Sequence, residues 1–194
     1  MRSVHLLAAA LAFGLALQSG QSLAEVTAQS EAGFVIKHSA EVPASQAEVW
    51  AALVAPAKWW SPEHTWSHDS ANLYLDAQAT GCFCEKLPKS VDAPAEQRMG
   101  SVEHMHVIYA DPQHGILRMV GALGPLQGEA VRGVLTITLV KTDAGTRIEW
   151  EYVLGGYMRF QTADIAPAVD TVLGEQLRRL AALLTPVLVP APAG

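Results

Sequence analysis

The sequence predicts an α+β domain in which a curved antiparallel sheet wraps around one long C-terminal helix. Two observations carry this prediction. Apolar residues recur at helical spacing over residues 164–185, and charged residues occupy the opposite side. Upstream, about six segments have the alternation or the bounding turn residues of antiparallel strands. A run of strands followed by a long helix is typical of the α+β class.

The first strand is expected at residues 34–42, where polar and apolar residues alternate until Pro43 ends the strand. Ser45 and Glu48 then have the spacing of a capping box, which predicts that a short helix begins at this point. A second short helical turn is expected at residues 58–60. The domain therefore has two short helices after its first strand.

The remaining strands follow in sequence, separated by segments rich in Pro, Gly and Asp. They are expected at residues 73–75, 82–87, 101–109, 116–120, 131–140 and 146–153. The last two form the clearest hairpin, because the turn residues 142–145 join the two strand-like segments.

The first 24 residues match a secretory signal peptide. Arg2 precedes an apolar run over residues 6–17, and Ser22, Leu23 and Ala24 supply the small-residue cleavage pattern. The run is too short to span a bilayer. We expect cleavage after Ala24 and export to the periplasm or to the medium; an uncleaved anchor or a buried helix is the alternative.

The charge of the chain excludes some classes of partner. The formal net charge is −6, and it becomes −7 when Arg2, the only charged residue of the leader, is removed. A nucleic-acid or anionic-membrane surface would need clustered Lys and Arg, so neither is expected. No later apolar run is long enough for a transmembrane helix. We expect a monomer without a cofactor.

Residues 42–60, VPASQAEVWAALVAPAKWW, resemble the strand-to-helix opening of the START-like (SRPBCC) superfamily. The resemblance extends over residues 33–185 and includes the polyketide cyclase/dehydrase and lipid-transport branch. It implies a helix-grip fold with a cavity between the sheet and the last helix. On this basis residues 25–32 are a flexible lead, residues 33–185 the START-like domain, and residues 186–194 a Pro/Ala-rich tail.

The resemblance implies a protein that binds a small hydrophobic or amphipathic molecule in that cavity. One alternative is an enzyme of the cyclase, dehydratase or isomerase type, with Glu103, His104 or Tyr109 transferring a proton. A second alternative is a protein-interaction domain like that of the chaperone-cofactor branch. Fold alone does not decide among the three.

Candidate ligand-binding residues come from an aromatic cluster after the short helices, from the middle strand and from the long helix. Core packing is the alternative for Trp59 and Trp60. Near Gly174 and Gln176 the helix is least bulky, which predicts open volume beside it. The full set is Trp59, Trp60, His64, Trp66, Met105, Val107, Arg118, Leu173, Gln176 and Leu177.

Strict alternation along residues 101–109 places Glu103, Met105, Val107 and Tyr109 on one face. This set is the more apolar one, so we expect it to face the cavity. A buried Glu103 would have a raised pKa and suit acid–base chemistry, whereas a rim or solvent position is the plainer alternative. Arg118 is a candidate partner for an anionic ligand group.

His104 and His106 invite comparison with a metal site, and Cys82 and Cys84 have the same spacing one strand away. Side chains two apart on a strand run parallel, which disfavours a disulfide between the two cysteines. We therefore expect free thiols, acting as small apolar side chains, and no bound metal.

Overall fold

The computed structural model describes residues 23–185. Eight strands form one antiparallel sheet, in the spatial order β1-β2-β8-β7-β6-β5-β4-β3. The strands are β1 Leu23–Ser30, β2 Gly33–Val42, β3 Leu73–Leu75, β4 Cys82–Leu87, β5 Gly100–Asp111, β6 Ile116–Gly121, β7 Ala130–Thr142 and β8 Gly145–Tyr157. The predicted signal peptide lies outside the described residues except for Leu23 and Ala24, and so does the tail at 186–194.

Two α-helices accompany the sheet, α1 (Gln46–Leu53) and α2 (Thr162–Leu183). The capping box of α1 is present: Ser45 Oγ accepts from the Glu48 N–H, and Glu48 Oε2 accepts from the Ser45 N–H at 2.8 Å. Short 3-10 turns lie at Pro56–Lys58, Pro62–His64, Ser70–Asn72 and Gly124–Gly128. Among the described residues, no helix combines the length and apolarity needed to cross a bilayer.

Helix α2 lies against β1 and β2, and α1 contacts β7, β8 and α2. One side of α2 is buried, with Ala166, Leu173, Leu177 and Leu180 among its inward residues. The predicted fold class, a long curved antiparallel sheet around a C-terminal helix, is confirmed. The helix begins two residues earlier than predicted, because Gln161 occupies the cap position.

Strand β1 replaces most of the expected flexible lead. Residues 25–30 pair with β2, for example Glu25 with Lys37 and Val26 with Ile36. The register shifts between Val26 and Ala28, so the strand lacks the regular alternation by which it would have been recognised. Cleavage after Ala24 would remove only the first two residues of this edge strand.

Two irregularities in β5 decide which of its side chains face the core. Phe83 pairs with Met105 while Cys84 pairs with Glu103, so His104 is an extra residue in the ladder. A second shift lies between Val107 and Tyr109. Each bulge changes the phase of the alternation. As a result Met105, Val107 and His104 are all buried.

Cys82 and Cys84 form a disulfide, so the expectation of free thiols is wrong. Their Cα atoms are 5.4 Å apart, less than the roughly 6.6 Å of two residues in an extended strand. The bulge opposite them accounts for this shortening, because bulges bend a strand pair and increase its twist. The parallel directions assumed for an ideal strand do not hold at this place.

Candidate functional site: an apolar cavity with a buried histidine–glutamate pair

A cavity of about 350 Å³ lies between the first half of α2, residues 60–66 and the turn at residues 123–126. Its lining is mostly apolar, and includes Ile165, Val169, Val172 and Leu173 from α2. Among the predicted ligand-binding residues, Trp60, His64, Trp66 and Leu173 line it. His104, predicted as a catalytic candidate, lines it as well.

The interior between the sheet, the end of α1 and residues 56–60 is filled. The void there measures about 20 Å³, and its walls include Trp59, Met105 and Trp150. Val107 and Leu177 are fully buried in the apolar core. The ring of Trp59 meets that of Trp150 edge-on at 6.0 Å. Trp59, Met105, Val107 and Leu177 are therefore core residues, and for Trp59 the packing alternative is correct.

Gln176 does not border open volume, and the prediction that it does is wrong. The residue is fully buried, and its Oε1 accepts a hydrogen bond from the Ser61 N–H at 2.8 Å. A Cβ added at Gly174 would lie 2.8 Å from Cε1 of the buried His38, so this part of the helix is packed closely. The small and polar residues here mark a tight helix–sheet contact and a hydrogen bond.

Glu103, Tyr109 and Arg118 lie on the outer surface, which corrects the prediction that they face the cavity. The Glu103 side chain is 56% exposed, and Tyr109 is also exposed. The Arg118 guanidinium lies 5.9 Å from the centre of the Tyr109 ring, and its Nε donates to Thr136 Oγ1. The bulges in β5 are the reason, since strict alternation fails on either side of the 105–107 segment.

A buried hydrogen bond between His104 and Glu85 lies behind one wall of the cavity, and His104 is the member of the pair that lines it. Nε2 of His104 lies 2.9 Å from Oε2 of Glu85, whose side chain is fully buried. The Glu85 carboxylate also accepts from the backbone N–H groups of Trp66 and Ser67. Because an ionised carboxylate only accepts, Nε2 of His104 carries the hydrogen. Nδ1 is then the ring nitrogen with a lone pair available to a cavity ligand.

The surroundings of this pair bias its charge states. Burial alone would raise the pKa of Glu85, but hydrogen bonds from Ser67, Trp66 and His104 outweigh burial and lower it. Burial lowers the pKa of His104, and the hydrogen bond and charge of Glu85 only partly oppose this effect. A neutral imidazole oriented by a carboxylate can accept a hydrogen bond or a proton from a bound molecule.

His64 contributes a second imidazole to the lining of the cavity. Its Nδ1 accepts a hydrogen bond from the amide nitrogen of Gln176 at 3.1 Å. This contact places the hydrogen of a neutral His64 on Nε2. The cavity thus has one imidazole acceptor, His104, and one imidazole donor, His64, among apolar walls. Such a lining suits an apolar molecule with a polar group that both donates and accepts.

A surface ion pair connects two walls of the cavity. Arg159, just before α2, places Nη2 2.6 Å and Nε 2.9 Å from Oε1 of Glu129. The Arg159 N–H donates to Oε2 of the same carboxylate at 2.7 Å. Glu129 directly follows the 3-10 turn Gly124–Gly128. The pair therefore ties this turn to the start of α2.

Glu85 is the site residue that sequence reasoning did not identify. The signal was present, since Glu85 shares its face of β4 with Phe83, which packs on Trp60 and His104. A carboxylate among inward apolar residues indicates a buried pair. In the sequence His104 belongs to an alternating His pair, but in the structure the bulge separates it from His106.

No protein-family model matches the sequence, and no curated protein matches it significantly. Solved structures match it in fold. A putative uncharacterized protein from Rhizobium leguminosarum has a TM-score of 0.53 at 17% identity, covering 84% of this chain and 97% of that one. CalU16 from Micromonospora echinospora has a TM-score of 0.52 at 14% identity, covering 88% of each chain.

A Thalictrum norcoclaurine synthase mutant in complex with a transition state analogue has a TM-score of 0.51 at 17% identity. It covers 84% of this chain and 96% of that one. At such identities the likeness concerns the fold alone. Together with the sheet and the C-terminal helix described above, it defines a helix-grip fold.

Proposed function

We propose that this helix-grip domain is an exported protein that binds a small amphipathic molecule in the cavity beside the first half of α2. The observation that carries the proposal is the cavity of about 350 Å³, which has apolar walls and His104 in one of them. Small-molecule sites of about 300–1,000 Å³ with few polar groups are typical of ligand-binding proteins.

The polar groups of the cavity indicate the kind of ligand. Nδ1 of His104 suits a hydroxyl or phenol hydrogen, and Nε2–H of His64 suits a carbonyl or ether oxygen. The exposed Trp66 side chain, at the cavity mouth, suits contact with an apolar ring. The ligand class is therefore a hydroxylated apolar molecule, such as an aromatic or polyketide-like compound.

Export is part of the proposal and has its own support. The signal-peptide pattern of residues 1–24 is one argument. The disulfide between Cys82 and Cys84 is the other, because disulfides persist mainly in oxidising compartments. Amino-terminal sequencing of the exported chain should return Glu25; a chain beginning at Met1 would contradict cleavage.

A cavity-filling variant tests the binding function. Ala168 lines the cavity on α2 and is exposed, so Ala168→Trp should fill the cavity with little strain. Ala182→Trp is the matched control, exposed on the same helix but away from the lining. We expect the fluorescence of anilinonaphthalene sulfonate to rise with the wild type and the control only. Equal dye binding in all three proteins would reject this cavity as the site.

A proton-transfer enzyme is the second candidate, and the His104–Glu85 pair is the observation that favours it. An isomerase or cyclase needs a base beside an acidic C–H or O–H, and a neutral imidazole oriented by a carboxylate supplies one. The test is deuterium exchange next to the carbonyl of cyclic ketones. An exchange lost in His104→Gln, with dye binding retained, would support catalysis; no exchange above the buffer rate would leave binding alone.

A further inference from the structure

A second cluster of reactive side chains lies on the opposite face of the sheet from the cavity. Cys82 and Cys84 of β4 pair across the ladder with His106 and Glu103 of β5. Ligand atoms of Cys82, Cys84 and Glu103 all lie within 4.8 Å of one another. Nδ1 of His106 lies 3.5 Å from Oε1 of Glu103. The cluster thus combines two sulfurs and a carboxylate, and the imidazole of His106 contacts the carboxylate from outside this group of three.

The disulfide in this cluster contributes little to the stability of the fold. It joins residues only two apart, so it closes a very short loop. Since the constraint that a disulfide places on the unfolded chain grows with loop length, this one restrains the unfolded chain little. The sheet also holds both cysteines in place through the β4–β5 ladder. We therefore infer that the two sulfurs have a role other than stabilising the fold.

We propose that the reduced chain binds one zinc ion through Cys82, Cys84 and Glu103, with the adjacent His106 as the fourth ligand, and that the disulfide is the metal-free, oxidised state of the same site. Cys thiolates, His imidazoles and Glu carboxylates are each zinc ligands, and zinc prefers four of them in a tetrahedron. A tetrahedron with bonds of about 2.1 Å has edges of about 3.4 Å, close to the separation of the Glu103 and His106 ligand atoms.

The site is accessible from solvent. The side chains of His106 and Glu103 are 44% and 56% exposed, so an ion can approach them without opening the core. Cys84 is buried and Cys82 is partly buried, which shields the sulfurs on the side of the sheet. The two histidines of the His-x-His pattern are separated by the bulge, so His104 is excluded from this ligand set.

The chemistry balances in two steps. An external dithiol, such as the active-site pair of a thiol–disulfide oxidoreductase, gives two electrons and two protons to the Cys82–Cys84 bond. The bond breaks to two thiols, and the dithiol becomes a disulfide. Zinc then binds the two thiolates and releases their two protons. In the reverse direction, the disulfide form of such an oxidoreductase accepts two electrons from the zinc-bound thiolates and two protons from solvent. The Cys82–Cys84 bond re-forms and the ion is expelled, which makes zinc binding dependent on redox state.

The test is a zinc titration of the purified chain without a histidine tag. Protein reduced with a phosphine should bind one equivalent of zinc in competition with a chromogenic chelator, and the oxidised protein should bind none. Cys82→Ser together with Cys84→Ser should abolish binding. Zinc binding to that double variant equal to the reduced wild type, or no binding to the reduced wild type, overturns the proposal.

Two single variants and one control assign the other ligands. Glu103→Gln and His106→Gln should each weaken zinc binding by about tenfold or more, since loss of even an outer partner of a metal ligand costs about tenfold. His114→Gln is the control, because His114 is an exposed histidine that pairs with Asp111 outside the cluster. Unchanged affinity in both single variants would reduce the site to the cysteines and contradict the proposed ligand set.

Discussion

Nε2 of His104 lies 2.9 Å from Oε2 of Glu85, and the bulge in β5 is what turns this imidazole toward the interior. Without the extra residue His104 could not share the inward side with Met105, its neighbour in sequence. The same carboxylate fixes the backbone at Trp66 and Ser67. Glu85 therefore connects β5 to the segment that forms the mouth of the cavity.

Replacement of Glu85 should destabilise the domain strongly. Glu85→Ala leaves three donors without an acceptor, and each unsatisfied buried donor costs about 1–3 kcal/mol. Glu85→Gln keeps one acceptor oxygen and should cost less. Urea unfolding measures both. Glu103→Ala, an exposed glutamate on the next strand, is the control and should change stability by about 0.5 kcal/mol or less. A Glu85→Ala variant as stable as that control would contradict the role given to the carboxylate.

Stability should fall in mildly acidic solution because two histidines are buried. Burial lowers the pKa of His38, although Asp170, at 3.0 Å, partly opposes this effect. Burial likewise lowers the pKa of His104. Below the ordinary value of 6.5 the unfolded chain takes up protons that the folded chain resists. The stability these groups contribute is thus complete above pH 6.5 and is lost as the pH falls toward the lower folded values.

Urea midpoints measured across this pH range check the effect. The midpoint should decline less steeply in His38→Gln and in His104→Gln than in the wild type, since each variant removes one titrating group. Glu85, whose pKa is lowered from 4.5, should add a further loss of stability at more acidic pH. The urea midpoints of the three proteins could instead fall equally steeply at pH values above the acidic range in which Glu85 takes up its proton. That result would show that the two histidines do not cause the pH dependence.

Gln176→Trp should lower the melting temperature. Gln176 is fully buried and bonds both the Ser61 N–H and Nδ1 of His64, so an indole there meets packed atoms and leaves a backbone donor unpaired. Overpacking costs about 1–3 kcal/mol, and an unsatisfied buried donor costs about as much again. Differential scanning calorimetry measures the change. Arg178→Trp, exposed on the same helix, is the control, and equal melting temperatures for the two variants would contradict this account.

The sequence predicted the architecture well because regular patterns determine it. The long helix, the capping box at Ser45 and Glu48, and the β7–β8 hairpin all follow from periodicity and turn chemistry. The site was predicted only in part. Trp60, His64, Trp66 and Leu173, all candidate ligand-binding residues, line the cavity. His104 lines it as well, although the expected alternation places it on the opposite face of the strand from the cavity.

The errors have a common physical origin in β4 and β5. A bulge adds one residue to a strand without a signature that alternation can reveal, and it reverses the faces of every residue beyond it. This change moved Glu103 and Tyr109 outward, brought His104 inward and shortened the Cys82–Cys84 separation. Register between strands, which sequence alone does not specify, also hid the pairing of Glu85 with His104.

Reduction of the disulfide should change stability little in the absence of zinc. The bond closes a loop of about three residues, for which the loop-entropy relation gives about 1.6 kcal/mol. For a domain of this size, that corresponds to a fall in melting temperature of roughly 3–6 °C. Calorimetry of the chain with and without a phosphine reductant, in the presence of a chelator, provides the measurement. If the reduced chain unfolded at room temperature, the disulfide would be essential for the stability of the fold and this prediction would be wrong.

Trp66 should govern how long a ligand stays in the cavity, with little effect on stability. Its backbone is held by Glu85 at 3.1 Å, but its side chain is 53% exposed and lines the cavity. An exposed indole adds little to the core, whereas its ring would cover an apolar ligand at the mouth. Trp66→Ala should therefore release anilinonaphthalene sulfonate severalfold faster in stopped-flow experiments, at an unchanged melting temperature. Tyr74→Ala removes a comparably exposed aromatic ring that does not line the cavity, and should leave the release rate as it is. Equal release rates for the wild type and Trp66→Ala would mean that Trp66 does not cover the bound molecule.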